Sequence, residues 1–128
     1  MTLAYWCILA AGILPYILIT LAKAGAPNFD NVAPRVFVEH LQGWRKRAYW
    51  AHLNAFEAFP LFAAAVIIAH LLGTHQKLID ELALAFIAAR ILHGIFYIAN
   101  WAALRSLIWF LGFGVVIALF VVSNLKVM

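Results

Sequence analysis

The sequence predicts an all-α integral membrane protein built as a four-helix transmembrane bundle, and three observations carry that expectation. Of its 128 residues, 67% are hydrophobic and 11% charged, with a mean hydropathy of +0.98, far more apolar than a soluble domain whose surface must face water. Four apolar runs are each about 20 residues long, the length that crosses a bilayer. What remains suffices for connections but not for a second domain, so residues 1–128 read as a single four-span domain.

Span one covers residues 3–22, interrupted only by Pro15. Ala22-Lys23-Ala24 has the small-x-small look of a cleavage site. No Lys or Arg precedes the apolar run as a secretory signal requires, so the segment is expected to stay as a span. Residues 23–47 form the one long polar stretch, where Pro27, Asn28, Asp30, Asn31 and Pro34 mark turns and residues 36–44 are expected to form a short interfacial helix. Span two, residues 48–72, carries His52, Asn54, Glu57 and Pro60. Pro60 deprives the Phe56 carbonyl of its helical donor, which predicts a kink just beyond Glu57. Span three covers residues 78–100, with Asp80 and Glu81 expected in its first turn to complement the helix dipole. Arg90, His93 and Tyr97 lie inside it. Span four covers residues 107–125 and is free of charge, with Gly112 and Gly114 expected to admit a close neighbour.

The basic residues are divided unevenly. Lys23, Arg35, Arg45, Lys46, Arg47 and Arg105 fall on one side of the spans, and only Lys77 and Lys126 on the other. An excess of Lys and Arg marks the cytoplasmic side, so both termini are expected to be non-cytoplasmic, in a bacterial inner membrane. A lone cysteine, Cys7, allows no internal disulfide and no metal-ligand spacing, and no metal is expected. Nucleic acid is excluded by the lack of a basic domain. His52 and His93 fall short of the matched histidine pairs of a bundle cytochrome. Trp44, Trp50, Trp101 and Trp109 cluster near the cytoplasmic ends, where interface anchors belong.

A charge at bilayer depth costs at least about 2.5–3.5 kcal/mol, so Glu57 and Arg90 must pair or meet a watery cavity. Glu57 lies roughly 15 Å along its helix from Arg47, and Arg90 about as far from Asp80, which puts both near mid-depth. At about 100° per residue, Asn54 and Glu57 share one face of span two, with Arg47 in register, and Arg90, His93 and Tyr97 share one face of span three. Continuing the span-three register puts Arg105 on the same side. The result is a polar stripe running from mid-membrane to the cytoplasmic face. It fits either a pocket for an anionic or zwitterionic ligand or a structural Glu57–Arg90 pair with Asn54 and His93 as interhelical hydrogen-bonding groups.

Two motifs carry a resemblance. The stretch from Ala51 to Phe62, with Asn54, Glu57 and Pro60 as Asn-x-x-Glu-x-x-Pro, is similar to the second-helix signature of the membrane-associated proteins in eicosanoid and glutathione metabolism, the MAPEG superfamily. Arg90, His93 and Tyr97 form an Arg-x-x-His-x-x-x-Tyr block that resembles microsomal glutathione transferase and microsomal prostaglandin E synthase. Arg105-Ser106 follows where those proteins place an Arg-Ser pair.

The resemblance implies a homotrimer of four-helix subunits among membrane lipids, with glutathione as co-substrate bound between neighbouring subunits and open to the cytoplasm. It also implies roles residue by residue. Asn54 and Glu57 would hold the glutathione backbone or amine, and His93 and Tyr97 its carboxylates and thiol, with Arg90 paired to Glu57. Arg105 would activate the thiol, since a fixed guanidinium favours thiolate, or Ser106 would instead donate a hydrogen bond to the thiolate. The thiolate would then attack apolar electrophilic small molecules or reduce lipid hydroperoxides. One departure concerns Trp50, which stands where enzymes of the family commonly have an arginine. Arg47, or Arg35 or Arg45 from the first loop, is the substitute the sequence offers. Trp50 also leaves open a non-enzymatic lipid-binding or scaffold protein of the same fold, since the lipoxygenase-activating relative lacks that arginine too. A small proton-coupled exporter relying on Glu57 is the remaining alternative.

Overall fold

The computed structural model describes residues 1–127, with side chains through Leu125, and contains five helices and no strand among them. They are α1 (Leu3–Lys23), α2 (Pro34–Glu39), α3 (Gly43–Leu71), α4 (Gln76–Ile98) and α5 (Ala102–Val127). All but α2 are long and apolar enough to cross a membrane. In the bundle α1 packs chiefly on α3 and α4 on α5, while α3 against α4 joins the two pairs.

The packing follows the rule for helices in lipid, where small residues let backbones approach and large ones face outward. Ala4, Ala48, Ala51, Ala65, Ala69 and Ala83 are fully buried, whereas Trp6, Tyr16, Leu107 and Phe110 are more than half exposed. One large pair breaks the pattern. Phe62 of α3 stacks on Phe86 of α4 with centroids 3.9 Å apart and planes 11° from parallel, filling the centre of the core beside Val116 and Leu119. Of the two span-four glycines only Gly112 serves a close approach, since a Cβ there would lie 3.5 Å from Ala89 Cβ, whereas one at Gly114 would meet nothing within 4 Å.

Three boundaries differ from the sequence expectation. The interfacial helix is Pro34–Glu39, not residues 36–44, because Pro34 supplies a pre-set first helical residue. The second spanning helix starts at Gly43, not residue 48, and its 29 residues extend about 43 Å against a hydrocarbon core of ~30 Å. Its first turns therefore project beyond the core and carry Arg45, Lys46 and Arg47 on helix, not loop. It runs unbroken through Pro60. Finally, α4 starts at Gln76, so Asp80 and Glu81 lie beyond its first turn. Asp80 Oδ1 instead accepts from the Ala4 N–H at 2.9 Å and from Gln76 Nε2 at 2.8 Å, so it complements the dipole of α1. Glu81 forms an exposed pair with Lys77 at 3.8 Å.

Both turns after α3 and α4 are the same device. Past α3, the Gly73 N–H donates to His70 O and the Thr74 N–H to Ala69 O, each at 3.0 Å, with Gly73 at φ +70°. Past α4, the Asn100 N–H donates to Tyr97 O at 3.1 Å and the Trp101 N–H to Phe96 O at 2.9 Å, with Asn100 at φ +62°. This is the Schellman stop, complete with its apolar contact between Phe96 and Trp101, 5.7 Å apart. Only Ala99, Asn100 and Trp101 separate α4 from α5.

At that same end, three successive cations of α3 each serve the C-terminus of a different helix. Arg45 Nη1 donates to Ala22 O at 3.0 Å and Ala24 O at 2.6 Å, closing α1. Lys46 Nζ donates to Val38 O at 3.4 Å and to Glu39 O, closing α2. Arg47 Nε donates to Ile98 O at 3.0 Å, closing α4. The bundle thus gathers Lys23, Arg35, Arg45, Lys46, Arg47 and Arg105 at one end and Lys77 at the other. The side chain of Lys126, which the sequence also assigns to the second end, lies outside the described residues.

Asp80→Ala removes the acceptor for the Ala4 N–H. Loss of such a cap costs about 1–2 kcal/mol, so the melting temperature in detergent falls while the helical circular dichroism at low temperature is kept.

Candidate functional site

Arg90, 5% exposed in the middle of α4, anchors the polar stripe. Its expected partner was Glu57, but the structure gives it Asn54. Arg90 Nη2 donates to Asn54 Oδ1 at 2.8 Å. The only ion pair among the described residues is Lys77–Glu81. The reason is geometric and electrostatic. Asn54 sits on the face of α3 turned to α4 and α5, while Glu57, one turn on, is exposed at the edge of that face. An amide oxygen also accepts from a buried guanidinium without the second desolvation that a buried carboxylate would add. Arg90 Nε, buried, has no hydrogen-bond partner.

Asn54 borders three hollows. The first, about 160 Å³, lies at mid-depth between α3, α4 and α5, with Glu57, Arg90, Trp109 and Phe113 among its walls. The second, about 200 Å³, lies toward the basic end and is walled by His93, Tyr97, Arg105, Ser106 and Trp109. A third is a wide shallow depression of about 410 Å³ where Trp50, Glu57 and Tyr97 meet the surface. The predicted residues Asn54, Glu57, Arg90, His93, Tyr97, Arg105 and Ser106 thus line three hollows that share Asn54.

Arg105 arrives there by a different route from the one its register suggests. The helix of Tyr97 stops at Ile98, and the three-residue turn returns the chain so that Arg105, in the first turn of α5, sets its Cζ 4.6 Å from the Tyr97 ring centroid. A cation near a helix N-terminus is disfavoured by the dipole, and the electron-rich ring face offsets this. His93, 3% exposed, packs edge-on against the same tyrosine at 5.6 Å and 80°. Tyr97 therefore contacts both Arg105 and His93 within the walls of this hollow.

Arg47 is turned away from the cleft and spends its Nε on the Ile98 carbonyl. Arg45 is likewise held by α1, and Arg35 sits exposed on α2. Trp50, 44% exposed, stands at the rim with its ring 6.4 Å from Tyr97. His52 Nδ1 lies 2.6 Å from Pro15 O on the α1 side, so it does not converge with His93. No group of His, Cys, Asp or Glu suited to a metal ion occurs among the described residues.

The sequence reading missed Trp109 as a wall of the site. Assigned to the interface, it stands between the mid-depth and basic-end hollows, stacked on Phe113 at 5.4 Å and 11°. The signal was available: Trp109 follows Arg105 by four residues and so shares its face of α5.

Four membrane-length helices, with polar hollows among three of them, define an integral membrane protein. The MAPEG family model matches residues 3–124, and the chain belongs to that family. No curated protein matches the chain closely enough to add a nearer relative. The protein is thus a four-helix membrane protein of the superfamily concerned with eicosanoid and glutathione metabolism.

Asn54→Leu leaves a buried guanidinium without its acceptor. A hydrogen bond to a charged group is worth about 1.5–3 kcal/mol, so the unfolding free energy in detergent falls by that much and the melting temperature drops, and Arg90→Met made on top of it recovers part of the loss.

Proposed function

We propose that the protein is a homotrimeric membrane glutathione transferase or peroxidase acting on apolar electrophiles or lipid hydroperoxides that partition into the bilayer. The observation that carries this reading is the basic-end hollow, where Arg105, Ser106, Tyr97, His93 and Asn54 share one wall system of about 200 Å³. Arg105 would hold the glutathione sulfur as thiolate, since a fixed guanidinium favours the anion over the thiol, and Ser106 would donate a hydrogen bond to it. The thiolate is the nucleophile for conjugation or for attack on a hydroperoxide.

Ligand pockets commonly measure ~300–1,000 Å³, so a hollow of this size in one chain holds part of a tripeptide, and a neighbouring subunit would supply the rest. The concentration of cations at one end of the bundle supports that end as cytoplasmic, with both termini on the opposite side of a bacterial inner membrane. Arg47 is committed to α4, so the role of carboxylate clamp falls to another cation or to the neighbouring chain.

A second reading, a lipid-binding or scaffold member of the family, is favoured by Trp50. Its half-exposed ring narrows the rim beside Tyr97, where the enzymes of the family commonly carry an arginine.

Glutathione binding to the purified protein separates the two. The transferase reading expects saturable binding at millimolar ligand with a rise in melting temperature by mass action. It also expects loss of the thiolate ultraviolet absorbance in Arg105→Ala, with the oligomer unchanged in mass. Full conjugation activity in Arg105→Ala overturns the role given to that residue. Lipid binding without any response to glutathione establishes the second reading.

A further inference from the structure

The short helix α2, the loop before it and the first turn of α3 line none of the hollows, yet they expose apolar side chains that a purely polar connection would not carry. Val32 is 94% exposed and Val36 56%, and Phe29 and Trp44 are exposed as well. Cations stand among them. Lys23 Nζ lies 5.9 Å over the Phe29 ring and the Arg45 guanidinium 4.5 Å over the Trp44 ring. Arg35, exposed, directly precedes Val36. From Lys23 to Arg47 five cations face two carboxylates, Asp30 and Glu39, and none of the seven is in an ion pair among the described residues. The opposite end, where α3 turns into α4, has no such surplus, since Lys77 meets Asp80 and Glu81 there.

Depth decides what this patch meets. Glu57 is the midpoint of the 29 residues of α3, and with that midpoint at the bilayer centre Trp44 lies about 20 Å out at ~1.5 Å per residue. That is past the hydrocarbon half-thickness of ~15 Å and still within the headgroup layer, which ends at ~20–22 Å. Lys46, whose Nζ donates to Val38 O and Glu39 O, holds α2 at the same level. Phe37 of α2 packs edge-on against Phe29 at 5.2 Å, so the loop is held there too. A water-soluble anion would satisfy the cations but leave Val32, Val36 and Trp44 against water. A phospholipid serves both, with its phosphate among the cations and its upper acyl carbons against the apolar side chains.

We propose that the loop, α2 and the first turn of α3 form a seat for the headgroup of an anionic phospholipid, with Lys23, Arg35 and Arg45 attracting its charge. A basic segment at an anionic membrane surface gains roughly fivefold in association per Lys or Arg, so a lipid with net negative charge is selected over a zwitterionic one. The seat needs no glutathione and goes beyond the transferase reading.

The test uses the full-length protein in phosphatidylcholine vesicles without glutathione. Spin-labelled phosphatidylglycerol and spin-labelled phosphatidylcholine of identical chains are compared by the protein-bound fraction in their electron paramagnetic resonance spectra. Phosphatidylglycerol is expected to associate at least about threefold more tightly at low salt, with the preference falling as salt screens it. Lys23→Gln combined with Arg35→Gln touches none of the bonds that close helix ends and lowers the preference by at least half, whereas Lys77→Gln at the opposite end leaves it unchanged. Equal association of the two lipids with the wild type overturns the proposal. So does a preference kept in the double variant, or one lost to the same extent in Lys77→Gln. Displacement by millimolar glycerol phosphate assigns the cations to a soluble phosphate and overturns it too. A nitroxide on Val32→Cys reads the apolar contact, and the buried Cys7 leaves that position as the labelling site. Protection of the nitroxide from a water-soluble relaxation agent in vesicles is the expected result, and full accessibility overturns the seat. Melting curves verify that each variant is folded, and the outcome is independent of whether glutathione binds elsewhere.

Discussion

A guanidinium held in the middle of a membrane helix is the constraint around which the rest of this bundle is arranged. Placing a charge there costs at least about 2.5–3.5 kcal/mol, and Arg90 meets that cost with a hydrogen bond to Asn54 across the α3–α4 interface. The bond requires the two backbones to be close. The buried alanines of α3 and α4 and the flat stack of Phe62 on Phe86, one helical turn from Arg90 and about two from Asn54, provide that proximity. Gly112 brings α5 onto α4 at Ala89, next to Arg90 in sequence. The polar cleft is the space left where three helices converge on one charge.

The second organising feature is the treatment of helix ends. The last four carbonyls of a helix lack intrahelical donors. Here Arg45, Lys46 and Arg47 at the start of α3 supply donors to three different helices. Cations at a helix N-terminus work against their own dipole, yet each of these is turned to the negative end of a neighbour. Asp80 mirrors them at the opposite end by accepting from the N-terminus of α1. The charge asymmetry that orients a membrane protein thus doubles as the clamp that holds its helix ends together.

Much of this was legible in the sequence, for physical reasons that differ by feature. The spans were legible because apolar runs of bilayer length have few other uses, and the Asn54, Arg90, His93 and Tyr97 stripe because helical periodicity assigns a face without knowledge of neighbours. What pairs with what was not. Glu57 and Asn54 lie one turn apart, and the choice between them as partner of Arg90 depends on which side α4 approaches. Likewise Arg47 shares the Asn54 face, but its length lets it reach the Ile98 carbonyl first. The span-three register does not reach Arg105, because the left-handed backbone of Asn100 ends the helix; the chain reversal into α5 brings it beside Tyr97 instead.

Glu57 carries the argument furthest. It stands at the midpoint of α3, exposed, facing the same hollow as Arg90 yet not paired with it. A carboxylate at that depth is too costly to leave against lipid tails. Its surroundings must therefore include water or polar groups. The shallow depression beside it, with Trp50, Asn54 and Tyr97 among its walls, is open on its outer side. In the proposed homotrimer another copy of the chain would close this side, covering the carboxylate and adding walls to a hollow too small for a tripeptide. The same face that looks incomplete as a fold is the one that looks incomplete as a binding site, and this coincidence ties the assembly to the chemistry proposed for it.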